Sequence, residues 1–286
     1  MIFYHHLIPV LIQLCGEIII RHIQAINMKI IFAPITTFFL LFSCFVYAQK
    51  DNIISKKILI LAKPGPIAIE TSITAIIVVD MQNDFGSKGG MFQRAGVDIS
   101  SIQKAVTPIS KVLAVARKSG IQIIYLKVAI QPDLSDMGDY GSPIRNDLLH
   151  EGVGDTITAP DGSKSRIQIR DTWNTDIVNE LKPQKNDIII YKSRFSGFYK
   201  TELDSILKKM NIKYLVVTGC TTSVCVESTV RDATFRNYSP VVLQDCTAEP
   251  IGEKLTRTNK EASLLIIQTV LGWVSNSEDF IKAFEK

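Results

Sequence analysis

Few residues in this chain are suited to chemistry, and histidine is the scarcest. Among 286 residues there are 4 histidines; His5, His6 and His22 lie near the start, and only His150 lies downstream. A histidine-rich metal site is therefore not expected, and a Ser–His–Asp triad would have to use His150. Acid–base work should fall to carboxylates, lysine or cysteine. Three such residues directly follow strand-like apolar runs or the turn after one: Asp80 in VVDMQNDF, Lys192 in IIYKSRFSGFY and Cys225 in TGCTTSVCVEST.

A carboxylate, an ammonium and a thiol form a workable set. A thiol attacks as thiolate, and a helix N-terminus with a nearby cation lowers its pKa. Asp80 is suited to take the thiol proton and return it to a leaving amine. Lys192 is suited to hold Asp80 ionised. Backbone N–H groups of the 219–225 turn are placed to receive an oxyanion. Taken singly, each residue has an ordinary reading: a turn cap, a surface lysine, an inert core cysteine. Their joint placement gives the set its weight. Cys220 and Cys225 lack C-x-x-C redox spacing, and Gly86, Gly89 and Gly90 form no phosphate loop.

The elements that must position these residues alternate. Short apolar runs at 75–79, 121–128, 187–191, 214–218, 241–244 and 271–274 read as buried strands. Helical patterns fill 102–119, 223–235 and 260–269, with a short closing helix at 277–286. Gly120 marks a helix stop, and Thr201–Asp204 resembles a capping box opening a helix to Lys209. Residues 131–171 are polar and rich in Gly, Pro and Asp, as expected of a long loop, and such loops are often functional. The pattern predicts an α/β fold: a doubly wound, mostly parallel sheet of about six strands with helices on both faces. Ligands of such sheets bind beyond the carboxyl ends of the strands, where Asp80, Lys192 and Cys225 fall.

Composition is that of an ordinary globular chain, with 46% hydrophobic and 21% charged residues. The net charge of +4 is modest and scattered, so no nucleic-acid partner is expected. The first 48 residues differ in kind. From Met28 to Ala48 a basic start, an apolar run and a small residue read as a signal peptide cleaved after Ala48. Residues 1–27 then read as an over-extended start, and 49–286 as one domain, exported to a periplasm or secreted. The alternatives are an uncleaved anchor, weakened by the short run and its proline, and a lipoprotein at Cys44, weakened by the bulky Phe42. Outside this leader remain Cys220, Cys225 and Cys246, an odd number that leaves at least one thiol free.

The segments IIVVDMQNDF and TGCTTSVCVESTVRDA together resemble the isochorismatase-like cysteine hydrolases over about residues 65–280. The second segment carries Gly219, Thr222, Cys225, Val226, Thr229 and Asp232 of the family pattern. SGFYKTELDSIL and GWVS look most like the ureidoacrylate amidohydrolase branch. The resemblance implies a catalytic triad of Asp80, Lys192 and Cys225. It also implies a cis Cys220–Thr221 bond and an oxyanion hole from the backbone of Thr221 and Cys225. Two departures stand out. Residues 86–100 lack the histidines with which nicotinamidases hold a metal, and Val128 and Ile130 stand where the ureidoacrylate branch carries Asn and Trp.

The expected activity is a cysteine amidohydrolase that opens a C–N bond of a small amide or ureide through a thioester, with no metal and no cofactor. A vinyl-ether hydrolase of the isochorismatase type and a non-catalytic binding module are the alternatives. Gln82, Phe85, Trp173, Phe195 and Tyr199 are the expected pocket wall. The expected partners are the small-molecule substrate and further copies of the chain, with membrane contact only through an uncleaved or lipidated leader.

Overall fold

The structure is a computed structural model, and it describes residues 55–285. The leader, with Cys15 and Cys44, lies outside the described residues. The strands are β1 (Lys57–Ile60), β2 (Ile67–Glu70), β3 (Thr74–Val79), β4 (Gln122–Val128), β5 (Thr156–Thr158), β6 (Lys164–Arg166), β7 (Ile188–Lys192), β8 (Tyr214–Cys220), β9 (Ser239–Ala248) and β10 (Trp273–Ser275). Six of them form one sheet in the order β10-β9-β8-β3-β4-β7, and every neighbouring pair is parallel.

Continuous apolar runs make this sheet because both of its faces are covered. All six residues of β3 (TAIIVV) are buried. Alternation sends Ile76 and Val78 to one face and Ile77 and Val79 to the other. The first face packs under the long helix Ser100–Lys118, through Ile102, Ala105, Ile109, Val112, Leu113 and Ala116. The second packs under Leu203–Lys209, Glu227–Phe235 and the helix that begins at Asn259. The long helix stops where the sequence predicts. Gly120 takes a φ of 68°, its N–H bonds to Arg117 O, and the N–H of Ile121 reaches back to Ala116 O.

The structure corrects several local expectations. No capping box opens the helix at 203, because the Thr201 hydroxyl turns back to donate to Gly197 O. A full box forms instead between Thr258 and Glu261. The helices expected at 223–235 and 260–269 each include a wide π-type turn, at Thr222–Val226 and Ile267–Leu271. The latter turn holds Leu271, so β10 begins only at Trp273. The expected loop at 131–171 carries a helix, Pro143–His150, and the antiparallel pair β5–β6. Ser142 caps that helix and Pro143 starts it, a pairing already present in the sequence. An antiparallel pair, β1–β2, precedes β3.

Strand order reverses direction at β3. From it the chain builds outward through β4 and β7 on one side, and through β8, β9 and β10 on the other. The crevice between the carboxyl ends of β3 and β8 is thus the switch point where such sheets bind ligands.

Candidate active site

Asp80 follows β3 immediately and takes a φ of 49°, a left-handed conformation that Asp tolerates better than most residues. Its backbone is pinned by Asp80 N to Leu126 O at 2.9 Å and by Gln82 N to Asp80 O at 2.8 Å. The Val128 N–H, at the end of β4, donates to Asp80 Oδ1 at 2.9 Å and to Gln82 Oε1 at 2.8 Å. Gln82 Nε2 closes the clamp on Val128 O at 2.9 Å.

Lys192 ends β7, two strands away from β3. It lies in register with Val128, and its side chain crosses the end of β4 to reach the carboxylate. Lys192 Nζ stands 2.7 Å from Asp80 Oδ2, and both side chains are almost wholly buried. This contact is a close, buried ion pair. Lys192 Nζ also donates to Arg194 O at 3.1 Å.

Cys225 comes from the π-type turn after β8. Gly219 lets β8 end against β3: a Cβ there would lie 2.0 Å from Val79 O, and φ is 116°. The Cys220–Thr221 bond is cis. Glu249, buried after β9, fixes the turn by accepting from Ser223 N at 2.7 Å and Ser223 Oγ at 2.5 Å. Thr229 Oγ1 donates to Cys225 O at 2.7 Å and accepts from Gly197 N at 3.0 Å, tying the turn to the segment after Lys192.

The three side chains are mutual neighbours, coupled by charge and hydrogen bonding. Burial raises the Asp80 pKa, and the Lys192 charge opposes that rise. For Lys192 burial acts downward, but the Asp80 and Cys225 charges outweigh it and raise the pKa. Burial also pushes the Cys225 thiol well above the ordinary thiol range, despite Lys192 beside it. The sequence had suggested a depressed thiol pKa. In the free site desolvation exceeds the stabilisation from the cation, so Cys225 rests as a neutral thiol beside Asp80.

Cys225 opens into a cavity of about 240 Å³, with Asp80, Thr221 and Cys220 also in its wall. Phe85 and Phe195 line it as expected. Gln82, Trp173 and Tyr199 do not. Gln82 is spent on the Val128 clamp, Trp173 offers its carbonyl oxygen to Asn83, and Tyr199 is exposed beside Arg194 and Lys200. The rest of the wall is Phe92, Val128, Val224 and Ile251, with Asp147, Leu148, Glu151 and Gln168 from the 131–171 segment. Cys220, Cys225 and Cys246 are all free and buried, and Cys220 Sγ donates to Asp80 O at 3.2 Å.

Known proteins share this framework. The description "Isochorismatase domain" matches residues 74–279. The chain is 38% identical over 223 residues to the ureidoacrylate amidohydrolase RutB of Caulobacter segnis, covering 78% of this chain and 90% of that one. It is 40% identical over 219 residues to the protein of that name from Yersinia enterocolitica, covering 77% and 92%. Among solved structures, a cysteine hydrolase from Pseudomonas syringae pv. phaseolicola superposes with a TM-score of 0.64 at 30% identity, covering 76% of this chain and 94% of that one. N-carbamoylsarcosine amidase from Thermoplasma acidophilum superposes at 0.53 with 26% identity, covering 72% and 96%. With the all-parallel sheet and the matched span in agreement, the chain belongs to the isochorismatase family of hydrolases.

Proposed function

We propose that this protein is an amidohydrolase that opens the C–N bond of a small amide or ureide, with Cys225 as nucleophile and a thioester as intermediate. The observation that carries the reading is the buried contact of Asp80, Lys192 and Cys225, with Asp80 and Cys225 in the wall of one cavity. The names of the relatives, ureidoacrylate amidohydrolase and N-carbamoylsarcosine amidase, support the bond type.

The steps balance on the protein's own groups. Cys225 Sγ bonds to the substrate carbonyl carbon while Asp80 takes the thiol proton. Because the resting thiol is neutral, this proton moves during attack and no thiolate need stand ready. The backbone N–H groups of Thr221 and Cys225 receive the oxyanion, and among the described residues the Thr221 N–H has no acceptor. The C–N bond breaks as Asp80 passes the proton to the leaving nitrogen. Water then gives a proton to Asp80 and attacks the thioester. The C–S bond breaks, Cys225 recovers its proton, and the acid or carbamate leaves. Lys192 keeps Asp80 ionised between these transfers.

The test is a rapid-mixing experiment on small amides and ureides. A burst of ammonia matching the enzyme concentration, followed by a slower steady rate, is expected where thioester hydrolysis limits turnover. Mass spectrometry of the quenched enzyme should find the acyl group on Cys225. Ammonia release with full activity in Cys225→Ser would sink the assignment.

We also propose that the chain is exported and that its mature form begins at Gln49, on the strength of the Met28–Ala48 pattern.

A further inference from the structure

The wall of the cavity has a sign. Its floor holds the neutral thiol and Asp80, whose partner Lys192 lies outside the wall, and its middle is apolar, with Phe85, Phe92, Val128 and Leu148. Past these, the remaining charged residues are Asp147 and Glu151, both carboxylates and both open to solvent. No arginine or lysine lines the cavity among the described residues. On its pocket side Glu151 has lost hydration, and this loss, with Asp147 and then Asp84 nearby, pushes its carboxyl up to about 7. No cation offsets that push.

A second observation points the same way. Gln168 lines the cavity and is 3% exposed. Its backbone is fixed at a φ of 49° by Gln168 N to Asp84 Oδ2 at 2.8 Å and by Ile130 N to Gln168 O at 2.7 Å. Its Nε2 touches only the sulfur of Met91, at 3.2 Å, and its Oε1 has no donor among the described residues. A buried carbonyl oxygen left without a partner is costly, and a ligand N–H would relieve that cost. Holding a non-glycine residue in a left-handed conformation there also has a cost, as is common where a side chain must be presented to a ligand.

We infer that the substrate presents N–H donors and positive charge to the mouth of this pocket: it is a small amide or ureide bearing an ammonium or similar cationic group, held by Asp147, Glu151 and Gln168. The inference rests on the amidohydrolase reading for the reacting carbonyl and adds the charge of the remainder. Its corollary is exclusion. A substrate with a carboxylate at that end would meet two carboxylates and no countercharge, and like charges select against a partner as effectively as opposite charges select for one. Ureidoacrylate, for which the relatives are named, is such a carboxylate.

Two measurements test this and keep its failure apart from that of the amidohydrolase reading. In the first, ammonia release is compared at pH 8 for β-alaninamide, butyramide and succinamate, which carry a cation, no charge and an anion at one end. The expected order of kcat/KM is cation, neutral, anion, with about tenfold or more between first and last. In the second, Cys225 is alkylated with 2-bromoethylamine, iodoacetamide and iodoacetate, each rate divided by that of the same reagent with glutathione. The same order is expected, and Asp147→Asn/Glu151→Gln should shrink the cation-to-anion ratio about tenfold in both assays. An anion that reacts as well as the cation, or a ratio that the double substitution leaves alone, would overturn the inference. Alkylation with the expected bias but no turnover of any amide would overturn the amidohydrolase reading and leave the charge preference standing.

Discussion

Asp80 Oδ2 and Lys192 Nζ stand 2.7 Å apart, with 1% of the Asp80 side chain and 0% of the Lys192 side chain open to solvent. A pair so buried contributes little net stability, because desolvating two charges offsets most of their attraction. Its use lies in what each charge does to the other. Lys192 opposes the burial that raises the Asp80 pKa, and in the proposed mechanism this keeps Asp80 available as a base beside the thiol.

Removing one partner should therefore hurt twice. In Lys192→Ala the Asp80 carboxyl loses its countercharge and should take up a proton. Turnover should fall by several orders of magnitude, and its pH dependence should move to higher pH. The fold should also lose about 3 kcal/mol or more near neutral pH, read as a lower denaturant midpoint, because a buried carboxyl is left unpaired. A Lys192→Ala protein with near-normal rates would show that the pair has only a structural role.

The thiol supplies a prediction of its own. Burial holds Cys225 above the ordinary thiol range. Labelling by iodoacetamide needs the thiolate, whose fraction then grows with pH throughout the neutral region. The labelling rate should climb steadily from about pH 6 to about pH 9 with no plateau. A plateau reached below pH 7 would mean a preformed thiolate, and the proton transfer assigned to Asp80 would have to be withdrawn.

Asp80, Lys192 and Cys225 were legible as a set because strand ends in a parallel sheet share an edge. The sequence shows strand ends as abrupt stops in apolar runs. The strand spans were legible for the same reason. The pocket wall was not. Gln82 sits two residues after Asp80, but its side chain is held by Val128, and Trp173 lies outside the cavity wall with its backbone carbonyl accepting from Asn83. Asp147, Glu151 and Gln168 come from the polar 131–171 stretch, whose helix carries only one fully buried residue, Leu148. With so thin an apolar stripe, hydrophobic periodicity gives almost no signal there. The Ser142–Pro143 start was the cue available.

Asp84 anchors the segment that brings Gln168 to the cavity. It accepts from Gln168 N at 2.8 Å, from Met91 N at 3.2 Å and from the Asn174 side chain. Burial raises its pKa from 3.8 to about 6 in spite of these bonds. The sign follows from linkage. Between about pH 4 and 6 the folded chain holds a proton that the unfolded chain has released, so this group favours folding on the acid side, and its contribution fades as pH rises through 6. Asp84→Asn should flatten that part of the stability–pH curve. It should also cost about 2–3 kcal/mol near pH 7, since an amide turns an N–H toward at least one of three donors. A chain of this size should then melt about 5–10 °C lower. An unchanged melting temperature and slope would remove Asp84 from the scaffold of the site.

The leader makes a prediction independent of the site. Expressed from Met28 in an export-competent host, the protein should be recovered outside the cytoplasm with Gln49 as its first residue, as intact mass spectrometry would read. An intact Met28 terminus would argue for a retained anchor. A diacylglyceryl group on Cys44 would argue for the lipoprotein alternative.

The last prediction concerns how the catalytic losses combine. Cys225→Ser should abolish turnover with the fold intact, because a hydroxyl is a far poorer nucleophile than a thiol here. Asp80→Asn should be almost as damaging: an amide can neither take the thiol proton nor pass one to the leaving nitrogen. If the two act in one proton transfer, the double variant Asp80→Asn/Cys225→Ser should be little slower than Cys225→Ser alone, since a unit once broken cannot be broken again. Independent contributions would instead multiply. His150 is the control. It is exposed at the end of the Pro143–His150 helix, outside the cavity wall, and no step assigned here uses imidazole. His150→Ala should leave kcat/KM within about twofold of the parent, as expected for a surface substitution away from the site. Losses that multiply in the double variant, or a collapse of activity in His150→Ala, would place the proton transfer elsewhere than between Cys225 and Asp80.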